Sequence, residues 1–233
     1  MSRAIAFYID DTPVVAQRGQ KILWAALDAG IYIPHLCAIR GQDHPFGGCR
    51  LCLVEIAGEE LPIPACSEPV VKGMRVYTKS PRVARLRRTA FELLMSHHDL
   101  DCRHCAKNGT CELQHLAKHL KVSLKTKRLK RLDTGRPVDA SYPPIVLNPN
   151  RCVLCGKCVW VCNEVEKAGA IDFVLRGLNT FVAPFNQGPL SQSTCTGCMR
   201  CVEICPTGAF TKKGQGKKAK SKGLEFNAEP TKG

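Results

Sequence analysis

Alternating apolar and polar residues mark the N-terminal part of this chain as β structure. Residues 4–10 alternate as a half-buried strand does, and residues 14–17 fit a returning strand after a turn at residues 11–13. Residues 20–29 then place apolar side chains at helical spacing, and residues 51–56 are again rich in residues that favour strands. The pattern predicts two strands, a helix and a third strand, in that order.

Helical spacing returns in the middle of the chain. Pro81 precedes a predicted helix over residues 82–96, whose apolar face would consist of Val83, Leu86, Ala90, Leu93 and Leu94. A turn at residues 108–109 (NG) precedes a second predicted helix over residues 113–120. Residues 121–136 carry seven Lys or Arg and one acidic residue, and residues 142–144 (YPP) close what we interpret as a basic linker.

These patterns predict five segments with an α+β fold. We expect a first domain over residues 1–80, a helical subdomain over 81–120, the basic linker over 121–147, a second compact domain over 148–211 and a flexible Lys/Gly-rich tail over 212–233.

The composition points to cysteine chemistry in a reducing compartment. The chain has 233 residues, 44% of them hydrophobic, which is typical of a globular protein, but 15 are cysteines. No apolar run approaches the roughly 20 residues that a membrane-spanning helix needs, and the N-terminus lacks the apolar segment of a signal peptide. We therefore expect a cytoplasmic protein, either free or peripheral to a membrane complex, whose cysteines are metal ligands and not disulfides.

The cysteines fall into four groups that leave none over, provided that one histidine joins them. The groups are, first, Cys37, Cys49, Cys52 and Cys66; second, Cys102, Cys105 and Cys111 with His98 just before them; third, Cys152, Cys155, Cys158 and Cys162; and fourth, Cys195, Cys198, Cys201 and Cys205. Sixteen ligands make four complete sets of four.

The third and fourth groups share the spacing C-x2-C-x2-C-x3-C, which is the run that binds [4Fe–4S] clusters in bacterial ferredoxins. Because the last cysteine of each run ligates the other cluster, the predicted sets are crossed. They are Cys152, Cys155, Cys158 and Cys205 for one cluster, and Cys162, Cys195, Cys198 and Cys201 for the other. Zinc is the alternative, but zinc ribbons separate their C-x2-C pairs by roughly 15–20 residues.

The first group fits a [2Fe–2S] cluster on a β-grasp ferredoxin-like domain, because a cysteine loop follows two strands and a helix. Its spacing departs from the plant-type C-x4-C-x2-C, and zinc remains an alternative. The second group fits either a CCCH zinc site or a [4Fe–4S] cluster with one imidazole ligand. Its place between two iron–sulfur modules favours iron, and the choice of His98 over the adjacent His97 rests on spacing.

The formal net charge is +14, from 34 Lys and Arg and 20 Asp and Glu. An oxidised four-thiolate cluster carries about −2 and a His/Cys3 cluster about −1, so loading all four sites would leave about +7. Positive side chains near a cluster favour its reduced form, and the candidates inside or beside the ligand loops are Arg50, Arg103, Lys157 and Arg200.

The order of the four groups resembles that in the iron–sulfur diaphorase subunit of NAD(P)-linked nickel–iron hydrogenases. It is also similar to the N-terminal region of the large iron–sulfur subunit of respiratory complex I and to the accessory region of NAD-dependent formate dehydrogenases. The supporting stretches are residues 31–37 (IYIPHLC), 48–52 (GCRLC) and 98–102 (HDLDC), and the resemblance covers roughly residues 1–211.

The resemblance implies an electron-transfer subunit of a hetero-oligomeric oxidoreductase. Its clusters would connect a flavin/NAD(P)-binding subunit with hydrogenase subunits or another catalytic module, since this chain ends soon after Cys205. No G-x-G-x-x-G sequence and no spare thiol are present, so we expect no catalytic residue in this chain. A zinc-rich module that binds nucleic acid is the remote alternative, but no stacking-aromatic motif accompanies the basic segment.

Overall fold

The computed structural model describes residues 4–214, which divide into two compact units with the boundary between Phe91 and Glu92. Helices and strands occur in both units, so the expected combination of the two is confirmed. The part of the predicted tail beyond residue 214 lies outside the described residues. Within residues 4–214, no helix is long and apolar enough to cross a membrane.

The first unit is built on a five-stranded sheet with one helix against it. Its strands are β1 (Ala4–Ile9), β2 (Thr12–Gln17), β3 (Leu53–Ile56), β4 (Ile63–Pro64) and β5 (Arg75–Tyr77), in the order β2-β1-β5-β3-β4. The pair β1–β5 is parallel and the other pairs are antiparallel. The helix α1 (Ile22–Asp28) contributes Ile22 and Leu23 to a core that also holds Phe7, Ile9 and Val54.

The first hairpin turns one residue earlier than its sequence suggested. Asp10 and Asp11 both have left-handed backbone angles, with φ of 47° and 65°. A two-residue hairpin loop of type I′ needs this conformation at both positions, and Asp tolerates it better than most residues do. Pro13 therefore lies inside β2 and pairs with Tyr8, which is acceptable because β2 is an edge strand.

The predicted middle helix is present as α2 (Pro81–His97), but its buried face differs from the predicted one. Leu93 is 53% exposed, whereas Arg87, Phe91 and Met95 are buried together with Val83. The hydrophobic pattern could not place an arginine on the buried face, because the carbonyl groups that satisfy it are contributed by distant residues.

The second unit contains short elements connected by cysteine-bearing loops. They are α3 (Glu112–Leu120), β6 (Ile145–Leu147), α4 (Lys157–Trp160), β7 (Asp172–Val174), β8 (Phe181–Ala183), α5 (Arg200–Ile204) and β9 (Phe210–Lys212). Strand β6 pairs with β9 and β7 with β8, both antiparallel. A π-helical turn over Val161–Val165 continues α4 and carries Cys162.

The sequence repeat of the third and fourth groups is also a repeat of backbone conformation. Two residues after the first cysteine of each run, Leu154 and Gly197 have positive φ of 53° and 74°. One residue after the second cysteine, Gly156 and Met199 have positive φ of 76° and 66°. Leu154 and Met199 are not glycines, so each half holds one strained position that costs on the order of 1 kcal/mol.

The basic segment, residues 121–136, packs within the second unit and forms specific contacts there. Arg128 pairs with the buried Glu92 at 2.6 Å, and Arg131 pairs with Asp99 at 3.0 Å. Arg136 donates to the carbonyl oxygen of Asn179 at 2.7 Å and covers the ring of Phe181. Three of its positive charges therefore have structural partners.

Candidate metal centres

The first cysteine group is gathered by the loops around α1, β3 and β4. Cys37 follows α1, Cys49 and Cys52 precede β3, and Cys66 follows β4. Backbone bonds fix these loops, because Leu23 donates to Ala65 O at 2.9 Å and Ala65 donates to Cys52 O at 3.0 Å. All four cysteines are buried, and Cys37 Sγ donates to Cys49 Sγ over 3.3 Å.

These four thiols act on one another's ionisation. The hydrogen bond from Cys37 lowers the pKa of Cys49 to about 6, and the same bond together with burial raises the pKa of Cys37. A hydrogen bond between Cys52 and Cys66 lowers the pKa of Cys66 and raises that of Cys52 in the same way. A compact set of four mutually interacting sulfurs suits a metal centre, which binds them as thiolates.

Arg87 is a buried cation beside this first group. Its guanidinium donates to Leu53 O at 3.1 and 2.6 Å and to Thr78 O at 2.9 Å. Burial lowers the pKa of Arg87 to about 10, and the charge of Cys52 opposes that change. The guanidinium therefore stays charged at neutral pH and faces the carbonyl group next to Cys52.

Arg87→Gln is expected to lower the midpoint reduction potential of the first centre. A positive charge favours the state with one more electron, so its loss should shift the potential by on the order of 60 mV, or tenfold in the one-electron equilibrium. The measurement is a redox titration followed by electron paramagnetic resonance (EPR). Arg85→Gln removes an exposed charge from the same helix and serves as the control. Equal shifts in both variants would contradict a specific role for Arg87.

The third and fourth groups line two cavities, and each cavity takes a cysteine from the other run. One cavity, of about 300 Å³ including its solvent-open part, is lined by Cys152, Cys155, Cys158 and Cys205. The other, of about 360 Å³ measured in the same way, is lined by Cys162, Cys195, Cys198 and Cys201.

Burial shifts the pKa of several of these thiols, and backbone amides donate to two of the sulfurs. Burial raises the pKa of Cys152 and Cys158, and it raises the pKa of Cys201 to about 12. The amide of Leu154 donates to Cys152 Sγ at 3.4 Å, and that of Phe210 donates to Cys205 Sγ at 3.5 Å. Amides directed at sulfur stabilise the thiolate form and raise the reduction potential of a bound cluster.

The second group contains a buried histidine with an unused nitrogen. His98 is 5% exposed, and its Nδ1 is buried without a hydrogen-bond partner. Burial lowers the pKa of His98 to about 4, so the imidazole is neutral at neutral pH, as a metal ligand must be. The charges of Cys102 and Cys105 act on Cys111, whose pKa burial raises to about 11.

Residues 206–208 pack directly against this second group. The amide of Glu112, next to Cys111, donates to Pro206 O at 3.1 Å. A Cβ atom on Gly208 would lie 2.5 Å from Cys105 Sγ, so only glycine lets the backbone come this close. The sequence contained no signal for this contact, because Gly208 lies about one hundred residues from Cys105.

The basic residues singled out from the sequence are not the buried ones. Arg50 and Arg103 are exposed, and Arg200 is paired with Glu166 at 3.1 Å and with Glu203 at 3.8 Å. Lys157 is partly exposed at the start of α4. Arg87 and Arg151 are the buried or nearly buried cations beside the cysteine groups, and sequence reasoning missed both.

The third and fourth groups each line a cavity. Within residues 4–214, no three His, Cys, Asp or Glu side chains form a group that could hold a single metal ion.

Three family models match successive parts of the chain. A 2Fe-2S iron-sulfur cluster binding domain matches residues 2–81, the NADH-ubiquinone oxidoreductase-G iron-sulfur binding region matches 87–124, and the ferredoxin-like domain of NADH-quinone oxidoreductase subunit 3 matches 143–211.

Known proteins are similar over most of the chain. The NADP-reducing hydrogenase subunit HndD of Solidesulfovibrio fructosivorans is 37% identical over 212 residues, which are 87% of this chain and 35% of the relative. The NADPH-Fe(3+) oxidoreductase subunit alpha of Geobacter sulfurreducens is 36% identical over 209 residues, 90% of this chain and 24% of the relative. The chain thus spans only about a quarter to a third of these relatives.

A solved structure is similar over nearly its whole chain. One chain of a crystal structure of NAD+-reducing [NiFe]-hydrogenase in the H2-reduced state superimposes with a TM-score of 0.84 at 34% identity. The match covers 92% of this chain and 90% of that chain.

Proposed function

We propose that this chain, which belongs to the family of iron–sulfur subunits shared by NAD(P)-linked hydrogenases and NADH-quinone oxidoreductases, relays electrons within a multi-subunit oxidoreductase. The observation that carries the proposal is the use of every cysteine. All 15 cysteines, with His98, fall into four sets of four, and two of these sets line separate cavities in the crossed combination that two-cluster ferredoxins use.

The proposed ligand sets are those predicted from the sequence. The β-grasp-like first domain would hold a [2Fe–2S] cluster, the helical subdomain a His/Cys3 [4Fe–4S] cluster and the ferredoxin-like domain two further [4Fe–4S] clusters. The corresponding residues are Cys37, Cys49, Cys52 and Cys66; His98, Cys102, Cys105 and Cys111; Cys152, Cys155, Cys158 and Cys205; and Cys162, Cys195, Cys198 and Cys201. When bound, such clusters accept and release single electrons.

The chain's own residues set the conditions for that transfer. Burial of the four thiols of the first group keeps water away from them. Amides directed at Cys152 and Cys205 withdraw charge from sulfur, and the buried Arg87 favours reduction of the first site. Cys198 is exposed, which supports an exit for electrons at that edge of the ferredoxin-like domain. The cofactor supplies the redox chemistry, and features of this kind are how a protein adjusts its reduction potential.

The proposed partners are a flavin/NAD(P)-binding subunit and the catalytic subunits of a hydrogenase, in a cytoplasmic hetero-oligomer. No nucleic-acid partner is required to account for the basic segment, since Arg128, Arg131 and Arg136 have partners within the second unit. The chain would then contain no catalytic residue of its own.

The deciding experiment is a count of iron, acid-labile sulfide and zinc in anaerobically purified full-length chain. One [2Fe–2S] and three [4Fe–4S] sites predict about 14 iron and about 14 sulfide per chain. About 10 iron with one zinc would assign zinc to the His98 site and refute the [4Fe–4S] cluster proposed there. Little iron with about four zinc would overturn the relay and favour the zinc-rich nucleic-acid-binding alternative.

A complex I-like or formate dehydrogenase-like assembly is the second candidate. It is favoured by the match of residues 87–124 to the NADH-ubiquinone oxidoreductase-G region and by 37% identity to an NADH-quinone oxidoreductase chain of Rhizobium meliloti. Isolating the tagged chain with its natural partners distinguishes the two. Hydrogen-dependent reduction of NAD(P)+ by that complex would support the hydrogenase, whereas its absence alongside NADH:quinone or formate activity would refute it.

A further inference from the structure

Arg151 is a nearly buried cation whose side chain reaches the loop of the second cysteine group. It directly precedes Cys152 in the chain, and its side chain is 15% exposed. Its Nε lies 3.7 Å from Asp99 Oδ2, and its Nη2 lies 3.6 Å from Asp101 Oδ2. Each of these two acids is adjacent in sequence to a ligand proposed for the second group. The guanidinium group therefore lies beside that site.

The Nε–H group of Arg151 has no hydrogen-bond acceptor. Both carboxylate contacts are ion pairs longer than a hydrogen bond, and Nε is buried with no partner within residues 4–214. Arg87 provides the contrast, because its buried guanidinium donates to the carbonyl oxygens of Leu53 and Thr78. A buried donor without an acceptor is costly, so an acceptor is expected beside Arg151.

A second unpartnered nitrogen belongs to the same group. His98 Nδ1 is also buried, and no atom of the described residues forms a hydrogen bond with it. An iron–sulfur cluster supplies a partner for each, because its iron binds an imidazole nitrogen and its sulfur accepts an N–H. A single zinc ion would bind the imidazole but would bring no inorganic sulfide to accept the N–H of Arg151.

Gly208 allows the arginine and a cysteine of the second group to lie close to each other. An ideal Cβ atom on Gly208 would lie 2.5 Å from Cys105 Sγ, 3.4 Å from Arg151 Cδ and 3.9 Å from Arg151 Nη1. The thiol and the guanidinium therefore border the same space beside one α-carbon. The backbone is fixed there, because Thr207 Oγ1 donates to Arg151 O at 2.8 Å.

We propose that the Nε–H of Arg151 donates a hydrogen bond to a sulfur of the cluster held by His98 and the second cysteine group. The inference rests on the proposed function and adds a residue to that site. Asp99 and Asp101 balance the charge of Arg151, so the N–H group is its specific contribution. Reduction makes cluster sulfur more negative, and a donor directed at it therefore stabilises the reduced form. Arg151 thus raises the midpoint potential of this site.

Two replacements of Arg151 separate the hydrogen bond from the charge. Arg151→Met removes both and should shift the one-electron equilibrium of the site about tenfold toward the oxidised form, which lowers the midpoint potential by about 59 mV. Arg151→Lys keeps a positive charge but has a methylene group in place of Nε, so it should recover only part of that loss. Arg131→Gln is the matched control, because Arg131 pairs with the same Asp99 at 3.0 Å, and its shift should be much smaller.

The potentials are measured by EPR-monitored redox titration of the full chain, together with its iron content. The signal of this site is identified by its coupling to the imidazole nitrogen of His98. Full recovery in Arg151→Lys would overturn the hydrogen bond, and so would equal shifts in Arg131→Gln and Arg151→Met.

Pulsed EPR of a chain whose arginines carry nitrogen-15 only in the guanidinium group tests the bond directly. The signal of the His98 site should show a nitrogen-15 coupling that Arg151→Lys abolishes and Arg131→Gln retains. Imidazole coupling without nitrogen-15 coupling in the wild-type chain would refute the proposal, and this test holds even if both Arg151 variants fail to bind iron. A wild-type chain without imidazole-coupled iron would refute instead the proposed ligand set, and the hydrogen bond with it.

Discussion

Cys205→Ala should empty the site formed by Cys152, Cys155 and Cys158 and leave the site beside Cys195 loaded. Cys205 lines the first of these cavities, and its charge acts on Cys152 and Cys158. Removing its sulfur leaves three ligands there, whereas all four remain in the other cavity. We expect the loss of about four of about 14 iron atoms per chain.

Matched variants make this assignment decisive. Cys155→Ala and Cys198→Ala each remove a central ligand of one run and provide reference spectra for the loss of each cluster. The EPR spectrum of reduced Cys205→Ala should match that of Cys155→Ala, and the spectrum of Cys162→Ala should match that of Cys198→Ala. The opposite correspondence would mean that each run of four cysteines binds its own cluster.

The grouping of the cysteines was accessible from sequence because cluster ligation depends on short spacings. Two intervening residues bring neighbouring cysteines to one small volume whatever the surrounding fold. The shared spacing of the two runs also suggested the crossed sets, and the structure places Cys205 and Cys162 in the corresponding cavities.

Features that depend on carbonyl groups of distant residues could not be predicted from the sequence. Arg87 is absent from the apolar face predicted for its helix, yet Leu53 O and Thr78 O satisfy it in the interior. The hydrogen bond from Thr207 Oγ1 to Arg151 O joins residues that are 56 positions apart in the sequence. The spacing of hydrophobic residues along the chain carries no information about a contact of that kind.

Short strands and strained loops were a second source of error. The strands β5 to β9 have three residues each, too few to show the alternation that revealed β1. The left-handed conformation of Leu154 and Met199 is imposed by the ligand loops against the preference of those residues. Each half of the repeat has one glycine at such a position, Gly156 in the first and Gly197 in the second, and only these glycines indicate the left-handed conformation in the sequence.

His98→Ala should alter one [4Fe–4S] signal and abolish all nitrogen coupling to iron, while the [2Fe–2S] signal stays unchanged. His98 is buried, with a pKa lowered by burial to about 4, and it has an unpartnered ring nitrogen. The [2Fe–2S] ligands belong to the first unit, and His98 belongs to the second. Pulsed EPR of the reduced, anaerobically purified chain measures the coupling directly.

The neighbouring histidine and a cysteine replacement separate ligation from mere packing. His97→Ala removes an imidazole one residue away, at the end of α2, and should retain the coupling; loss of coupling there would show that His97 is the ligand. His98→Cys should keep about four iron atoms at the site, because a thiolate replaces the imidazole. Its potential should fall, since the all-thiolate cluster carries about one more negative charge and accepts an electron less readily. If His98 only filled space, its replacement by cysteine would not produce an iron-loaded site with a lowered potential. Retained iron together with a lowered potential therefore identifies His98 as a ligand.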